Sequence, residues 1–406
     1  MRPLPRLTPL LLAITAGSSA AAGPVRFERV VIDADFPGGY QVEVADVNGD
    51  GKPDVVGVGG GTCAWYENPS WTKRVVSTSK ETPAIISSAT ADLDGDGKAE
   101  VAIAYDFAMN EPRRGKLLLA VQGAKVDDPW SFRPVADVPS IHRLRWGWVV
   151  GTTRLGEKSV RSDKKPELVV APIFGPSARP PAFDQEPAHL TLFDTGADPK
   201  SARWTSRTIG EAPVLHAIEL TGDADRPSAV LGASNRGVTS TRMTAIGGDV
   251  LFQSSVLSTG AEGQAPKKGA SEVHAGRLRD GRRFLATVEP WHGNEVVVSV
   301  SESPRSDKFG PRAVLDDTLD DGHALWVADV DGDGDDEVFA GHRGKDHRIS
   351  MYDFDGKEWD RTVVDADVAA QDLRGGDLDG DGVPDVVAIG GKTHNVVWYR
   401  PVRPAK

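Results

Sequence analysis

Four short acidic segments carry oxygen-bearing side chains at one repeated spacing. Each starts with Asp, places side-chain oxygens at positions 1, 3, 5 and 9, and has Gly at position 6. Hard oxygen ligands at this spacing, with a glycine that permits a sharp turn, suit Ca²⁺. We therefore expect up to four structural calcium sites. Their predicted ligands are Asp46, Asn48, Asp50 and Asp54; Asp92, Asp94, Asp96 and Glu100; Asp329, Asp331, Asp333 and Glu337; and Asp377, Asp379, Asp381 and Asp385.

These segments differ from EF-hand loops. Position 12 holds Gly57 in the first segment and Ala340 in the third, where an EF-hand has Glu. Strand-like apolar runs, not helices, flank each loop. The alternative is an Asp- and Gly-rich turn without metal, in which three or four carboxylates would repel one another.

Histidine and arginine side chains form the second chemical group. Converging imidazoles can bind Zn²⁺ or supply a general base, and Arg can hold a carboxylate or hydroxyl groups. The alternative is that each histidine is an ordinary packed or turn residue. The candidate catalytic residues are His142, His216, His274, His323, Arg143 and Arg145.

The elements that position these residues repeat along the chain. The acidic phrases span 44–56, 90–102, 327–339 and 375–387, and each joins two short apolar strands. Degenerate copies at 151–170, 218–231 and 276–288 keep the strands without the acidic loop. Between these pairs, an aromatic residue followed by Val or Ile indicates an outer strand. Its starts are Phe27, Trp71, Phe132, Trp204, Phe252, Phe309 and Trp359.

Seven inner pairs that alternate with seven outer strands predict an all-β, seven-bladed β-propeller. The chain starts with an outer strand and stops after a third strand, so the N-terminal strand should complete the last blade and close the ring. The calcium loops then lie on one face. The loops that enter the first strands lie on the opposite face, together with the second-to-third loops, which carry His292, His342, His347 and His394. The Pro-rich loop 174–187 is expected to form a rim there.

The first strand of each blade lines the central channel, so the position of a residue in that strand predicts its depth along the channel axis. We call this depth the level of the side chain. His216 and His274 are expected at the level of Glu43, Trp326 and Arg374. His323 is expected three residues earlier, at the level of Tyr40 and Gln371.

Composition limits the class of protein. The chain has 406 residues and a net charge of −12, which argues against nucleic-acid binding, and its single Cys excludes a disulfide framework. Residues 1–22 have a basic start, a short apolar run and a small-residue cleavage site, as a signal peptide does. We expect a secreted or periplasmic monomer without a transmembrane segment, whose single domain spans 23–406.

The acidic phrases and their strands resemble the FG-GAP/VCBS-repeat family of calcium-binding propellers. This resemblance implies a propeller over nearly the whole mature chain. It implies calcium in the four acidic loops and not in the three degenerate blades.

Four short phrases, at 141–146, 171–176, 290–293 and 322–325, are similar to the propeller part of the aldos-2-ulose (anhydrofructose) dehydratases. This resemblance implies a zinc-assisted β-elimination on a keto-sugar, with a sugar or glycan as the ligand. His216, His274 and His323 would then be metal ligands or base, and His142 a ligand or proton shuttle. Arg143 or Arg145 would hold the substrate. The alternative function is a non-catalytic propeller that binds glycans or proteins at the cell surface.

Overall fold

The computed structural model describes residues 25–150, 152–155, 158–161, 165–223, 226–246 and 249–402. The predicted signal peptide, 1–22, lies outside the described residues. Within them, no helix is long and apolar enough to cross a bilayer.

The described residues form seven antiparallel four-stranded sheets, and the predicted seven-bladed propeller is confirmed. From the innermost to the outermost strand, blade 1 is β2 (Gly39–Ala45), β3 (Asp54–Gly59), β4 (Thr62–Glu67) and β5 (Thr72–Ser77); blade 2 is β6 (Ser87–Ala91), β7 (Glu100–Tyr105), β8 (Lys116–Val121) and β9 (Ser131–Asp137); blade 3 is β10 (Ile141–Gly147), β13 (Glu167–Pro172), β14 (Ala188–Asp194) and β15 (Thr205–Ala212); and blade 4 is β16 (Ala217–Asp223), β17 (Arg226–Ser234), β18 (Gly237–Ile246) and β19 (Asp249–Ser258). Blade 5 is β22 (Glu272–Arg277), β23 (Arg283–Glu289), β24 (Glu295–Val300) and β25 (Ala313–Asp316); blade 6 is β26 (Gly322–Ala328), β27 (Glu337–His342), β28 (Ile349–Phe354) and β29 (Trp359–Asp365); and blade 7 is β30 (Ala370–Gly376), β31 (Asp385–Gly390), β32 (Asn395–Val402) and β1 (Arg26–Asp33).

Two hairpins and a short helix extend the blades. They are β11 (Thr152–Leu155) with β12 (Lys158–Arg161), β20 (Ala261–Gln264) with β21 (Lys267–Gly269), and the 3₁₀ helix Pro199–Ser201. The first hairpin corrects one sequence expectation. The degenerate copy at 151–170 does not contain the first strand of blade 3, which is Ile141–Gly147.

The ring closes as the sequence predicts. β1 pairs antiparallel with β32, from Arg26 opposite Val402 to Asp33 opposite Val396. The first strand of the described chain therefore supplies the outer strand of the last blade, so β32 is paired on both sides and the two ends of the chain are joined in one sheet.

Burial falls from the centre of each blade outwards. Every residue of β3, β27 and β31 is buried, whereas β1 alternates between exposed and partly buried residues. A strand covered by neighbouring blades on both faces needs a continuous apolar sequence, and an outer strand needs only one apolar face. This difference explains why the second strands carry runs such as Val386-Val387-Ala388-Ile389.

A tyrosine–aspartate hydrogen bond joins neighbouring blades at three places. Each tyrosine lies on a third strand and donates its hydroxyl to an aspartate at the end of the preceding blade's outer strand. The pairs are Tyr66 with Asp33 at 2.5 Å, Tyr352 with Asp316 at 2.8 Å, and Tyr399 with Asp365 at 2.7 Å. They link blades 7, 1, 6 and 5, so three of the blades with acidic loops are tied to their neighbours by the same contact.

Candidate functional site

Four histidine rings meet at one end of the central channel. The ring centroid of His216 lies 4.9 Å from the centroids of His142 and His292 and 5.0 Å from that of His323. His216, His292 and His323 each offer a ring nitrogen within 4.8 Å of the other two. We call His142, His216, His292 and His323 the histidine cluster.

The backbone of the next blade fixes three of these rings. Nδ1 of His142 is 2.9 Å from the carbonyl oxygen of His216, and Nδ1 of His323 is 2.7 Å from that of Gln371. Nδ1 of His216 is 3.0 Å from the carbonyl oxygen of Ser271. A carbonyl oxygen can only accept, so each Nδ1 carries the hydrogen and each Nε2 keeps its lone pair.

His292 enters the cluster from the loop after β23. Its backbone is in the left-handed region, with φ of 46°, and its N–H donates to Ser271 Oγ at 3.2 Å. Its Nε2 lies 3.1 Å from Nε2 of His216. Its Nδ1 lies 3.1 Å from Arg343 Nη2 and 3.4 Å from Asp321 Oδ1. Sequence reasoning put His292 on this face but not among the candidate ligands, although it lies inside the similar phrase at 290–293.

Burial keeps the imidazoles neutral. It lowers the pKa of His142, His216 and His323 well below the usual value, and the positive charge of Arg143 or Arg343 lowers it further. Burial, then the neighbouring His216, lowers the pKa of His292 to about 2. Neutral rings are the form that binds metals or accepts protons.

An aromatic wall encloses one side of the cluster. Trp291 packs 5.0 Å from His292, and its ring contacts Phe174 at 6.1 Å and Phe183 at 6.4 Å. Both phenylalanines belong to the loop 174–187, which therefore lies at this face as expected. On another side, Tyr40 Oη is 2.9 Å from Nε2 of His142 and donates to it.

A buried layer of charged groups lies behind the cluster. Arg143 is 3% exposed, and its Nη2 is 3.8 Å from Oε1 of Glu272. The same Glu272 oxygen is 2.9 Å from Nδ1 of His216. Burial raises the pKa of Glu272 and of Asp372 to about 7, although Arg143 opposes this. Arg143 therefore balances buried carboxylates, and its guanidinium also lies 5.1 Å above the Tyr40 ring.

His274 and Arg145 lie elsewhere in the channel, and this corrects the predicted levels. Glu219, not His216, shares the level of His274, because His216 precedes β16 and sits beside His323. Six innermost strands line a separate cavity of about 290 Å³, and each places one charged, histidine or tryptophan side chain at the same level of it. These residues are Glu43, Arg145, Glu219, His274, Trp326 and Arg374. Nε2 of His274 accepts a hydrogen bond from Arg374 Nη1 at 2.9 Å.

The remaining predicted face histidines lie outside the cluster. His342 Nδ1 is 3.1 Å from the Asp320 carbonyl oxygen, and His394 Nδ1 accepts from the Gly38 N–H at 3.1 Å.

The four acidic loops fold alike. The carboxylate at position 9 accepts the N–H of position 2 in each loop: Asp54 from Val47, Glu100 from Leu93, Glu337 from Val330 and Asp385 from Leu378, at 2.7–3.1 Å. Gly51, at position 6 of the first loop, has φ of 82°, which a residue with a side chain rarely adopts. The repeated phrase thus encodes one turn geometry.

The loops differ in how closely their carboxylates approach. Oxygens within 4.8 Å of one another occur in blades 2, 6 and 7: Asp92, Asp94 and Asp96; Asp329, Asp331 and Asp333; Asp331, Glu337 and Asp353; and Asp377, Asp379 and Asp385. Asp353 was missed by sequence reasoning because it comes from β28, next to Glu337 rather than in the loop. The described residues of the first loop form no such carboxylate group, and Asn48 supplies its position 3.

Four carboxylate oxygens in these loops are buried without a hydrogen-bond partner among the described residues: Oε1 of Glu100, Oδ2 of Asp335, Oε1 of Glu337 and Oδ1 of Asp377. The first two lie 3.1 Å from Lys200 Nζ and 2.9 Å from Arg279 Nε, whereas Glu337 and Asp377 form no ion pair in the described part of the chain. Burial and the nearby charges of Asp331, Asp353 and Asp329 raise the pKa of Glu337 to about 9. Buried acceptors of this kind are normally satisfied, so they fit a bound cation.

Comparisons with known proteins agree with this architecture. The model of the FG-GAP-like repeat matches residues 46–103 and 329–388, which contain the four acidic loops. The chain is 24% identical over 369 residues to aldos-2-ulose dehydratase of Phanerodontia chrysosporium. The match covers 79% of this chain and 38% of that protein, so the chain spans well under half of its relative's length.

Solved structures share the fold. The β-propeller domain of Cps50 (Swd1) from Myceliophteria thermophila aligns with a TM-score of 0.52 at 9% identity, over 93% of this chain and 99% of that one. A chain of the mitotic checkpoint complex aligns with a TM-score of 0.52 at 11% identity, over 97% and 99% of the two chains. At these identities the likeness concerns the fold alone.

Proposed function

We propose that this chain is an exported lyase that eliminates water or an alcohol from a keto-sugar or glycan at the histidine cluster. The observation that carries the proposal is the convergence of three neutral imidazoles, His216, His292 and His323, on one point of a partly enclosed channel mouth. The similarity to aldos-2-ulose dehydratase, although it covers 38% of that protein, supports the same reaction class.

The donor set fits a zinc ion. Catalytic zinc is held by three protein ligands and keeps one open position. Two nitrogens bound to one tetrahedral zinc at 2.0–2.1 Å lie roughly 3.3 Å apart, and the Nε2 atoms of His216 and His292 are 3.1 Å apart. In this structure Arg343 donates to Nδ1 of His292, so Nε2 of His292 carries the hydrogen that Nε2 of His216 accepts, and a metal would take the place of that hydrogen. Asp321 is the nearby acceptor for an Nδ1 hydrogen when Nε2 of His292 is a ligand.

A zinc ion at this point would polarise the substrate carbonyl and make the neighbouring C–H more acidic. Elimination then needs a group that takes the proton from the carbon next to the carbonyl, and a group that protonates the departing oxygen. Tyr40 donates to Nε2 of His142 at 2.9 Å. A substrate that enters between them would leave Nε2 of His142 to take the carbon-bound proton and Tyr40 Oη to give its proton to the departing oxygen, and the proton on His142 would return to Tyr40 after release. Arg343, beside His292, is better placed to hold a polar substrate than Arg145, which lies in the other cavity.

Metal content and elimination activity test this proposal together. The purified protein should keep about one zinc per chain after dialysis, and it should produce an enone absorbance from aldos-2-uloses. His292→Ala should lose both properties. His274→Ala is the matched control, since it removes a buried channel histidine outside the cluster, and it should keep the zinc. A protein that binds no zinc, or a His292→Ala variant with full activity, would refute the lyase and favour the glycan-binding alternative.

We further propose that calcium in the acidic loops is structural. The support is the buried carboxylate oxygens of Glu337 and Asp377, in blades 6 and 7, which have neither a hydrogen bond nor an ion pair in the described part of the chain. Calcium should therefore raise the melting temperature, and EDTA should lower it. An unchanged melting curve in EDTA would contradict the proposal.

Export is proposed from the N-terminal segment. The test is the mass of the protein recovered from the culture medium or periplasm, which should correspond to a chain that starts near Gly23.

A further inference from the structure

The acidic loop of blade 2 already holds a positive charge from the neighbouring blade. Nζ of Lys200 lies 2.8 Å from Asp94 Oδ2, 2.8 Å from Asp96 Oδ2 and 3.1 Å from Glu100 Oε1. These three carboxylates are positions 3, 5 and 9 of the loop, the same positions that are predicted to bind calcium. The ammonium group therefore sits among the oxygens that a calcium ion would need.

Other contacts fix Lys200 in this place. It is the middle residue of the 3₁₀ helix Pro199–Ser201, which lies between β14 and β15 of blade 3. Nε1 of Trp204 donates to the Pro199 carbonyl at 2.9 Å, and Nη1 of Arg133 donates to the carbonyl of Lys200. Only 21% of the Lys200 side chain is exposed. Burial alone would lower its pKa, but the hydrogen bonds to the three carboxylates raise it, so the group stays charged.

The position of Lys200 follows a rule of this propeller. The turn after the third strand of one blade reaches the acidic loop of the preceding blade. In blade 1, Nδ2 of Asn68 donates to the Leu378 carbonyl at 2.7 Å, and in blade 2, Nε2 of Gln122 donates to the Val47 carbonyl at 2.6 Å. Blade 3 uses the same approach but delivers an ammonium group to the carboxylates themselves.

The cations near the other acidic loops are placed differently. Arg279 contacts Asp335 at 2.9 Å and Asp333 at 3.4 Å in blade 6, and its side chain is 49% exposed. It leaves Glu337 Oε1 without a partner in the described part of the chain. Arg400 lies farther from the blade 7 loop, with its Nη1 3.7 Å from Oδ2 of Asp379.

We propose that Lys200 is the permanent cation of the blade 2 loop, which therefore binds no calcium and ties blade 2 to blade 3 whether or not calcium is present. Calcium must lie 2.3–2.6 Å from its oxygen ligands, and an ammonium group bonded to the same oxygens excludes it. The blade 2 loop thus departs from the expected set of four calcium sites. The inference rests on the proposed calcium binding only for its comparison with blades 1, 6 and 7.

The test compares calcium binding by the metal-stripped mature protein and its Lys200→Met variant, measured by equilibrium dialysis. The variant should bind one calcium ion more than the wild type. Lys98→Met is the matched control, because Lys98 belongs to the same loop but its Nζ contacts the carbonyls of Gly123 and Ala124. This control should bind as many ions as the wild type.

Equal stoichiometry in the wild type and Lys200→Met would overturn the inference. The comparison is a difference between two proteins, so it stays informative if no wild-type loop binds calcium and the proposed calcium function fails. If Lys200→Met does not fold, a calcium-soaked crystal of the wild type decides the question. An anomalous peak within the blade 2 loop would refute the inference, and Lys200 in that place without such a peak would support it.

Discussion

Glu272 offers a test of how the histidine cluster holds a metal. Its Oε1 lies 2.9 Å from Nδ1 of His216 but accepts no hydrogen bond from it, so Glu272 acts on the ring through its charge, and the residue is 5% exposed. A carboxylate behind a ligating histidine makes the ring a better donor, and removal of such a partner lowers metal affinity about 10–100-fold. The substitution Glu272→Gln removes the charge and keeps the shape of the side chain.

The structure places the expected effect at the lower end of this range. The carbonyl oxygen of Ser271, 3.0 Å from the same Nδ1, still orients the His216 ring in the variant. Only the electrostatic contribution is then lost, and we expect about a tenfold weaker zinc affinity, or roughly 1.4 kcal/mol.

Competition with a chromophoric chelator at pH 8 measures this affinity. Glu167→Gln is the control, because Glu167 is a buried carboxylate in blade 3 that accepts the N–H of Val149 at 2.9 Å, away from the cluster. Circular dichroism and the melting temperature establish that both variants are folded. A folded Glu272→Gln variant with wild-type affinity, measured beside a His292→Ala variant that binds no zinc, would refute the role given to Glu272.

Three further predictions concern stability. Tyr399→Phe removes the hydroxyl that satisfies buried Asp365, and urea unfolding should show a loss of about 1–3 kcal/mol; no loss would contradict the role of the tyrosine–aspartate contacts. Hydrogen bonds from Tyr399 and Arg29 outweigh burial and hold the pKa of Asp365 below its usual 3.8. The stabilisation from Asp365 is therefore present above that value and lost as the pH falls through the lower folded-state pKa. The free energy of unfolding of Asp365→Asn should be lower than that of the wild type at neutral pH, and the two should converge only at acid pH. Glu337→Gln should reduce the EDTA-induced fall in melting temperature, and an unchanged fall would place the structural calcium elsewhere.

Local sequence signals were enough to predict the propeller. The acidic turn, the apolar second strand and the aromatic start of the outer strand are each encoded within a dozen residues, and blade closure follows from their order along the chain. In blades 1, 2, 6 and 7 the first Asp of the loop also fixes the level of every residue before it. This is why Tyr40 and His323 were correctly placed at one level of the channel.

The features of the site that the sequence does not predict depend on contacts between segments that are distant along the chain. Blades 4 and 5 lack the acidic loop, so nothing in the sequence fixed how far His216 and His274 stand from the ends of their strands. His292 reaches the cluster through a left-handed backbone and a hydrogen bond to Ser271, and neither has a spacing signal. Lys200 comes from the blade after the loop that it enters, 100 residues beyond Glu100 in the sequence.

The histidine cluster and the cavity that contains His274 are separate parts of the channel, and they differ in whether a histidine nitrogen can reach a ligand. His216 donates through Nδ1 to the next blade, and its Nε2 faces Nε2 of His292. His323 also donates through Nδ1, and its Nε2 accepts from the uncharged side-chain amide of Gln371 at 3.3 Å. His274 has its Nε2 lone pair engaged by Arg374, an obligate donor, in a cavity where Glu219 lies 3.8 Å away. A metal there would have to displace this guanidinium group from the ring nitrogen and would add a second positive charge beside it. The proposed reaction therefore belongs to the histidine cluster, and His274 is the internal control for it.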